Sequence, residues 1–223
     1  MSFSQKTIDF LFENRMRDSR EWFREHKGDY QALVIEPMTQ LINELAPTIA
    51  KIDPMIAVDP KHISRLYRDA RYVKDSVFRD HVWYTFGRTH DKNTGFPSFY
   101  FSIGAAGVSY GCGYYCAGAK TMRAMRELVL EDAESYRRAQ KAYAAQSVFE
   151  MFGELYKRNK YPNESPEKQN WLNRKGLGMS FDTDDPGLMF SDDLAKRVAD
   201  DFLAVKPVYD FMLAAEERAL IIE

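Results

Sequence analysis

Apolar positions recur at helical spacing near both ends of the chain and alternate with polar ones in its middle. Among the first fifty residues Ile8, Leu11 and Phe12 share one helical face. Asp18, followed three residues on by Glu21, matches a capping box and predicts a short helix carrying Trp22 and Phe23 and ended by Gly28. Asp29 then caps a longer helix with Met38, Leu41, Ile42 and Leu45 inward, and Pro37 predicts a kink or restart in it. From about Ile56 the period shortens. Residues 62–68 and 82–86 alternate as strands, and 98–103 is strongly β-forming. It turns through Gly104-Ala105-Ala106-Gly107 into 108–115, which predicts an antiparallel hairpin.

A helix near Lys120, with Met122, Met125, Leu128 and Val129 on one face, continues or restarts through Tyr143. Residues 149–157 and 175–181 read as further strands and 161–166 as a loop. At the C-terminal end Ser191 caps a helix, with Asp192 and Asp193 in its first turn, where carboxylates favour the positive end of the dipole. Leu194, Val198, Phe202 and Val205 form its inner face. Pro207 interrupts, and Val208, Phe211, Met212 and Ala215 continue the stripe. This order predicts an α+β fold, a mainly antiparallel sheet with N- and C-terminal helices packed on one face. Without internal repeats, low-complexity segments or a linker, residues 1–223 read as a single domain.

Composition changes the picture little. A chain of 223 residues buries roughly 70% of its unfolded surface, so its core needs no disulfide or metal. A net charge of −2 provides no global attraction to nucleic acid or an anionic membrane. No apolar run approaches the ~20 residues of a membrane span. The first residues lack a secretory pattern, and Cys112 and Cys116 are too few for a disulfide framework, so a cytoplasmic location is expected. Charge is unevenly distributed, however. Residues 61–79 hold six basic side chains against two acidic ones, a balance of +4, and 182–201 hold seven Asp against Lys196 and Arg197, a balance of −5.

Three stretches carry a family resemblance: Asp18-Ser19-Arg20-Glu21-Trp22-Phe23 with Lys27 and Tyr30; Arg65-Leu66-Tyr67-Arg68-Asp69-Ala70-Arg71-Tyr72-Val73-Lys74-Asp75; and the hairpin from Phe99 through Gly111-Cys112-Gly113, leading into Met125-Arg126. Together they resemble the family catalogued as domain of unknown function 2461, over nearly the whole chain. That likeness implies one domain and no particular activity. In the family, Lys74-Asp75 is usually followed by Lys, a small hydroxyl residue, Pro and an aromatic. Here Ser76-Val77-Phe78-Arg79 stands instead, and the resemblance implies Arg79 as the substitute for that lysine.

The basic run is the strongest chemical signal. Arg65, Arg68, Arg71, Lys74 and Arg79 fall within fifteen residues, with Tyr67 and Tyr72 interleaved. Guanidinium forks suit phosphate or carboxylate and stay charged at any relevant pH. On an extended segment Arg65, Tyr67, Asp69 and Arg71 share one face, and Asp69 would hold the two arginines beside it. The same residues could instead form a structural ion-pair network with Asp69 and Asp75, or contact nucleic acid. Lys157, Arg158, Lys160, Arg174 and Lys175 form a second, looser basic set.

Other chemistries find less support. Gly113 to Thr121 resembles a phosphate-binding loop, but Ala119 separates the second glycine from Lys120, and the preceding strand belongs to a hairpin. No Gly-x-Ser-x-Gly occurs. His26, His62, His81 and His90 lack metal-ligand spacing, although Asp80-His81 and His90-Asp91 could converge. No metal and no cofactor is expected. The leading expectation is binding or turnover of a small phosphorylated or carboxylated ligand at Arg65, Tyr67, Arg68, Asp69, Arg71, Lys74 and Arg79. A protein-interaction scaffold without catalysis is the alternative, and nucleic-acid binding is disfavoured.

Overall fold

The computed structural model describes residues 2–72, 75–88 and 95–221. Within them the chain runs α1 (Gln5–Arg17), α2 (Arg20–Glu25), α3 (Lys27–Tyr30), a π-helical turn at Gln31–Ile35, α4 (Glu36–Ile52) and a 3-10 turn at Pro60–His62. There follow β1 (His81–Phe86), β2 (Ser98–Gly104), β3 (Gly107–Gly113), α5 (Ala119–Leu130), α6 (Glu134–Ala145), β4 (Glu150–Phe152), α7 (Pro166–Leu172) and β5 (Gly178–Thr183). Helices α8 (Pro186–Met189), α9 (Leu194–Ala204) and α10 (Lys206–Ala219) complete it. The strands form one antiparallel sheet in the order β1-β2-β3-β5-β4. The α+β class, with helices at both ends, is the one that the hydrophobic pattern predicts.

Contacts divide the chain into two compact units: Met1–Phe86 with Tyr100–Tyr110 and Asp182–Ala199, and Gly87–Phe99 with Gly111–Phe181 and Asp200–Glu223. In the first, α1 buries Thr7, Phe10, Leu11 and Asn14. The expected Ile8–Leu11–Phe12 face is therefore rotated, and Phe12 is 56% exposed. Two small polar residues extend the buried stripe where an apolar pattern could not show it. Gly28 does not end a helix but lies inside α3, and Asp29 caps nothing. Pro37 sits in the first turn of α4, directly after the π-helical turn, and the Leu33 carbonyl four residues before it accepts the Thr7 hydroxyl at 2.8 Å. The hairpin closes as expected through Ala105-Ala106, and the positive φ that the turn demands falls on Gly107, at 116°.

In the second unit, α10 packs on α5 and α6. Trp171 meets Tyr136 and Phe211 edge to face, and Phe99 lies against Phe202 and Tyr209. The inner stripes expected for α5, α9 and α10 are buried. Three strand expectations need correction. Residues 62–68 form a 3-10 turn and a single bridge at Tyr67; 149–157 pair only at Glu150–Phe152 and through an isolated bridge at Leu155; and the last strand is displaced from 175–181 to Gly178–Thr183. Ser165-Pro166, read as the end of a loop, opens α7: the Ser165 hydroxyl accepts the Lys168 N–H, and Pro166 takes the first helical turn. Cys112 is buried and Cys116 exposed, both as free thiols, and burial pushes the Cys112 thiol up to about 12.

Candidate functional site

The basic run of the first unit is an irregular loop that folds back on itself. The Arg68 N–H donates to the Val77 carbonyl at 2.8 Å and the Arg79 N–H to the Leu66 carbonyl at 2.8 Å, on either side of the Tyr67–Phe78 bridge. Leu66 and Phe78 are buried. The Tyr67 ring packs on Phe78 and edge-on against Phe23, yet stays 40% exposed. Burial alternates from Arg65 to Arg68, as an extended segment requires, although only one bridge forms.

What clamps this loop is Asp18, one residue before the α2 cap. The capping box expected at Asp18 and Glu21 does not form: Ser19 is the cap, its hydroxyl accepting the Trp22 N–H. Asp18 turns away in the left-handed region, at φ 46°, which a short polar side chain tolerates. Its carboxylate accepts the Val77 N–H at 2.9 and 3.0 Å and the Phe78 N–H at 2.9 Å. Burial pushes the Asp18 carboxyl up, but those two N–H groups, with the charges of Arg15 and Arg68, outweigh it and hold it below the usual range.

The seven candidate residues separate into distinct environments. Arg71 closes on Asp69 in a bidentate pair, Nη2 to Oδ2 at 2.6 Å and Nε to Oδ1 at 3.0 Å. The pair is exposed, and Arg71 holds the Asp69 carboxyl at about 2. The expectation that Asp69 also grips Arg65 is corrected: Arg65 acts on it through charge alone. The cause is the turn that starts at Asp69, whose carboxylate accepts the Arg71 N–H at 3.0 Å and whose carbonyl accepts the Tyr72 N–H at 3.0 Å. Lys74 lies outside the described residues.

Arg65, Arg68 and Arg79 are treated differently. Arg68 Nε donates to the Phe78 carbonyl at 2.9 Å. Arg79 Nη1 donates to the carbonyls of Arg65 and Tyr67 at 2.9 and 2.7 Å, and its guanidinium lies 5.0 Å from the centre of the Trp83 ring. Neutral carbonyls thus orient both forks, and among the described residues no carboxylate pairs directly with Arg65, Arg68 or Arg79. Burial, then the charges of Arg68 and Arg65, lower the pKa of Arg79. The charges of Arg65 and Arg68 are therefore close enough to Arg79 to repel it.

Beside them, β1 begins with a bonded pair, His81 Nδ1 and Asp80 Oδ1 at 2.8 Å. The sequence places these two residues only as metal-ligand candidates with His90 and Asp91, which lie outside the described residues. Among the described residues no group of three or more His, Cys, Asp or Glu is placed to hold a metal. The adjacency of Asp and His at the head of a strand was the available signal for the pair.

The second basic set is built differently. Arg174 spends Nε and Nη2 on Asn170 and Nη1 on the Gly153 carbonyl, and Lys175 pairs with Glu154. Arg126, absent from the sequence-based candidates, reaches the carbonyls of Leu172, Met122 and Arg174 and the Tyr156 hydroxyl. With donors on all three nitrogens engaged, Arg126 and Arg174 are braces. A groove of about 500 Å³ in the first unit is lined by Gln31, Glu36, Thr39, Gln40, Asn43 and Glu44, two carboxylates and no basic group, and offers an anion no positive charge. No helix among the described residues is long and apolar enough to cross a membrane.

No curated protein and no solved structure matches the chain. One family model does, that of the conserved hypothetical protein family DUF2461, across residues 6–211. Since this is most of the chain, the protein belongs to that family.

Proposed function

We propose that the protein binds a small phosphorylated or carboxylated ligand through Arg65, Arg68 and Arg79. The observation that carries this reading is the use of backbone carbonyls, in place of carboxylates, to orient Arg68 and Arg79. A carbonyl fixes a guanidinium without cancelling its charge, so the remaining N–H donors keep both direction and field for an oxyanion. Arg71 and Asp69, which neutralise each other, form the edge of the site. Tyr67, with its ring fixed by Phe23 and Phe78, forms a wall.

Arg68→Ala tests the reading. Its removal deletes one bond to the Phe78 carbonyl, worth about 1 kcal/mol, so the melting midpoint should fall by only a few degrees. Binding of inorganic phosphate, measured by calorimetric titration of the same variant, should weaken roughly tenfold or more. Unchanged phosphate affinity would rule Arg68 out as a ligand. A collapse of stability by several kcal/mol would make it a structural member instead.

A further inference from the structure

We propose that Asp80 and His81 form a proton-transfer pair acting on the ligand that the arginines hold, an inference that rests on the anion site described above. An ionised carboxylate can only accept a hydrogen bond, so the 2.8 Å contact places a proton on His81 Nδ1. The bond to His81 is the largest influence on Asp80 and holds its carboxyl below the usual range, with burial opposing and the Arg68 charge assisting. The neutral imidazole then carries its lone pair on Nε2. No described residue bonds that atom, and the His81 side chain is 42% exposed.

The pair lies near the arginines. His81 and Trp83 lie two residues apart on β1 and so share one face of it, their ring centres 5.5 Å apart. The Arg79 guanidinium lies 5.0 Å from the same indole, so a cationic fork and an imidazole adjoin one aromatic plate. The backbone beneath is tightly fixed. The Ala105 N–H donates to the Asp80 carbonyl at 3.0 Å, and a Cβ on Gly104 would stand 2.5 Å from His81 Cβ and 2.7 Å from the Asp80 carbonyl oxygen. His26 and His62 have no such setting. His26 Nδ1 meets a helix carbonyl, and His62 lies 3.9 Å from Asp59.

In the step this geometry suits, Nε2 takes the proton of a hydroxyl on the bound ligand. The O–H electron pair stays on that oxygen, and the imidazolium charge is offset by Asp80. In reverse, the imidazolium returns the proton to an anionic oxygen. No oxidant, reductant or second substrate is required. The ligand class is accordingly a phosphate or carboxylate that also carries a dissociable hydroxyl.

The test is a titration of the full ¹⁵N-labelled chain with inorganic phosphate at pH 7, following the histidine ring nitrogens and the backbone amides together. Phosphate should raise the protonated fraction of His81 at least about twofold, with the midpoint shown by the amides of Arg68 and Arg79. In Asp80→Ala the Nδ1-protonated signature of His81 should disappear; its persistence would remove Asp80 from the pair. If the arginine amides saturate while the His81 ring stays unmoved, the proton-transfer inference is overturned and the anion site stands. If neither responds, the anion site fails and the pair fails with it.

Discussion

Asp18→Ala should lower stability by about 3 kcal/mol and, with it, detach the loop that carries the arginines. The Asp18 carboxylate is the partner of two loop N–H groups, those of Val77 and Phe78, and bonds to a charged acceptor contribute about 1.5–3 kcal/mol each. The side chain is 26% exposed, which reduces that sum. Alanine at φ 46° adds strain of about 1 kcal/mol that Asp tolerates better. For a chain this long each kcal/mol lowers the melting midpoint by about 2–4 °C, so a drop of roughly 10 °C is expected. Asp18→Gly should recover the backbone part of the loss and none of the rest.

The same carboxylate gives stability an acid dependence of fixed sign. Its folded pKa is depressed, so its contribution is complete above the ordinary value of about 3.9 and is lost as pH falls through the lower folded value. Asp18→Asn should flatten that acid limb in urea melts at stepped pH. An unchanged limb would mean that the carboxylate is not the clamp. Because Phe78 presents the carbonyl that holds Arg68, Asp18→Ala should weaken phosphate binding without touching a ligand-binding side chain.

Gly111→Ala should be worse, costing on the order of 3–5 kcal/mol. Strands β3 and β5 approach so closely there that a Cβ on Gly111 would lie 1.9 Å from the Met179 carbonyl oxygen. That neighbour is backbone and cannot rotate aside, so the ladder itself must open. The obstacle is space, since Gly111 is not among the positive-φ glycines. Gly28→Ala provides the contrast. Nothing lies within 4 Å of its would-be Cβ in α3, and the substitution should stabilise by roughly 0.5–1 kcal/mol. Thermal melts that rank the two variants together would contradict the close approach of β3 and β5.

Those glycines also show where the sequence could be read. The hairpin was legible because β-forming residues and a Gly-Ala-Ala-Gly turn lie next to each other, and the inner stripes of α5, α9 and α10 because helical period needs no distant partner. Asp18 was misread because Asp-x-x-Glu is a local capping signal, whereas its partners lie 59 and 60 residues away. Arg71 was grouped with Arg65 by spacing along an imagined strand, but the chain turns at Asp69 and carries Arg71 back onto that carboxylate. The basic cluster was therefore visible as composition. Its division into a neutral pair and three cations without a directly bonded carboxylate depends on which carbonyls the folded loop presents.

The central claim concerns those three cations, and the guanidinium nitrogens report on them directly. Following the ¹⁵Nε signals of Arg65, Arg68, Arg71 and Arg79 while inorganic phosphate is added at low salt tests it without any substitution. Arg65, Arg68 and Arg79 should shift together along one saturable curve, while Arg71, held by Asp69, moves little. No saturable shift, or a response confined to Arg71, would contradict the site.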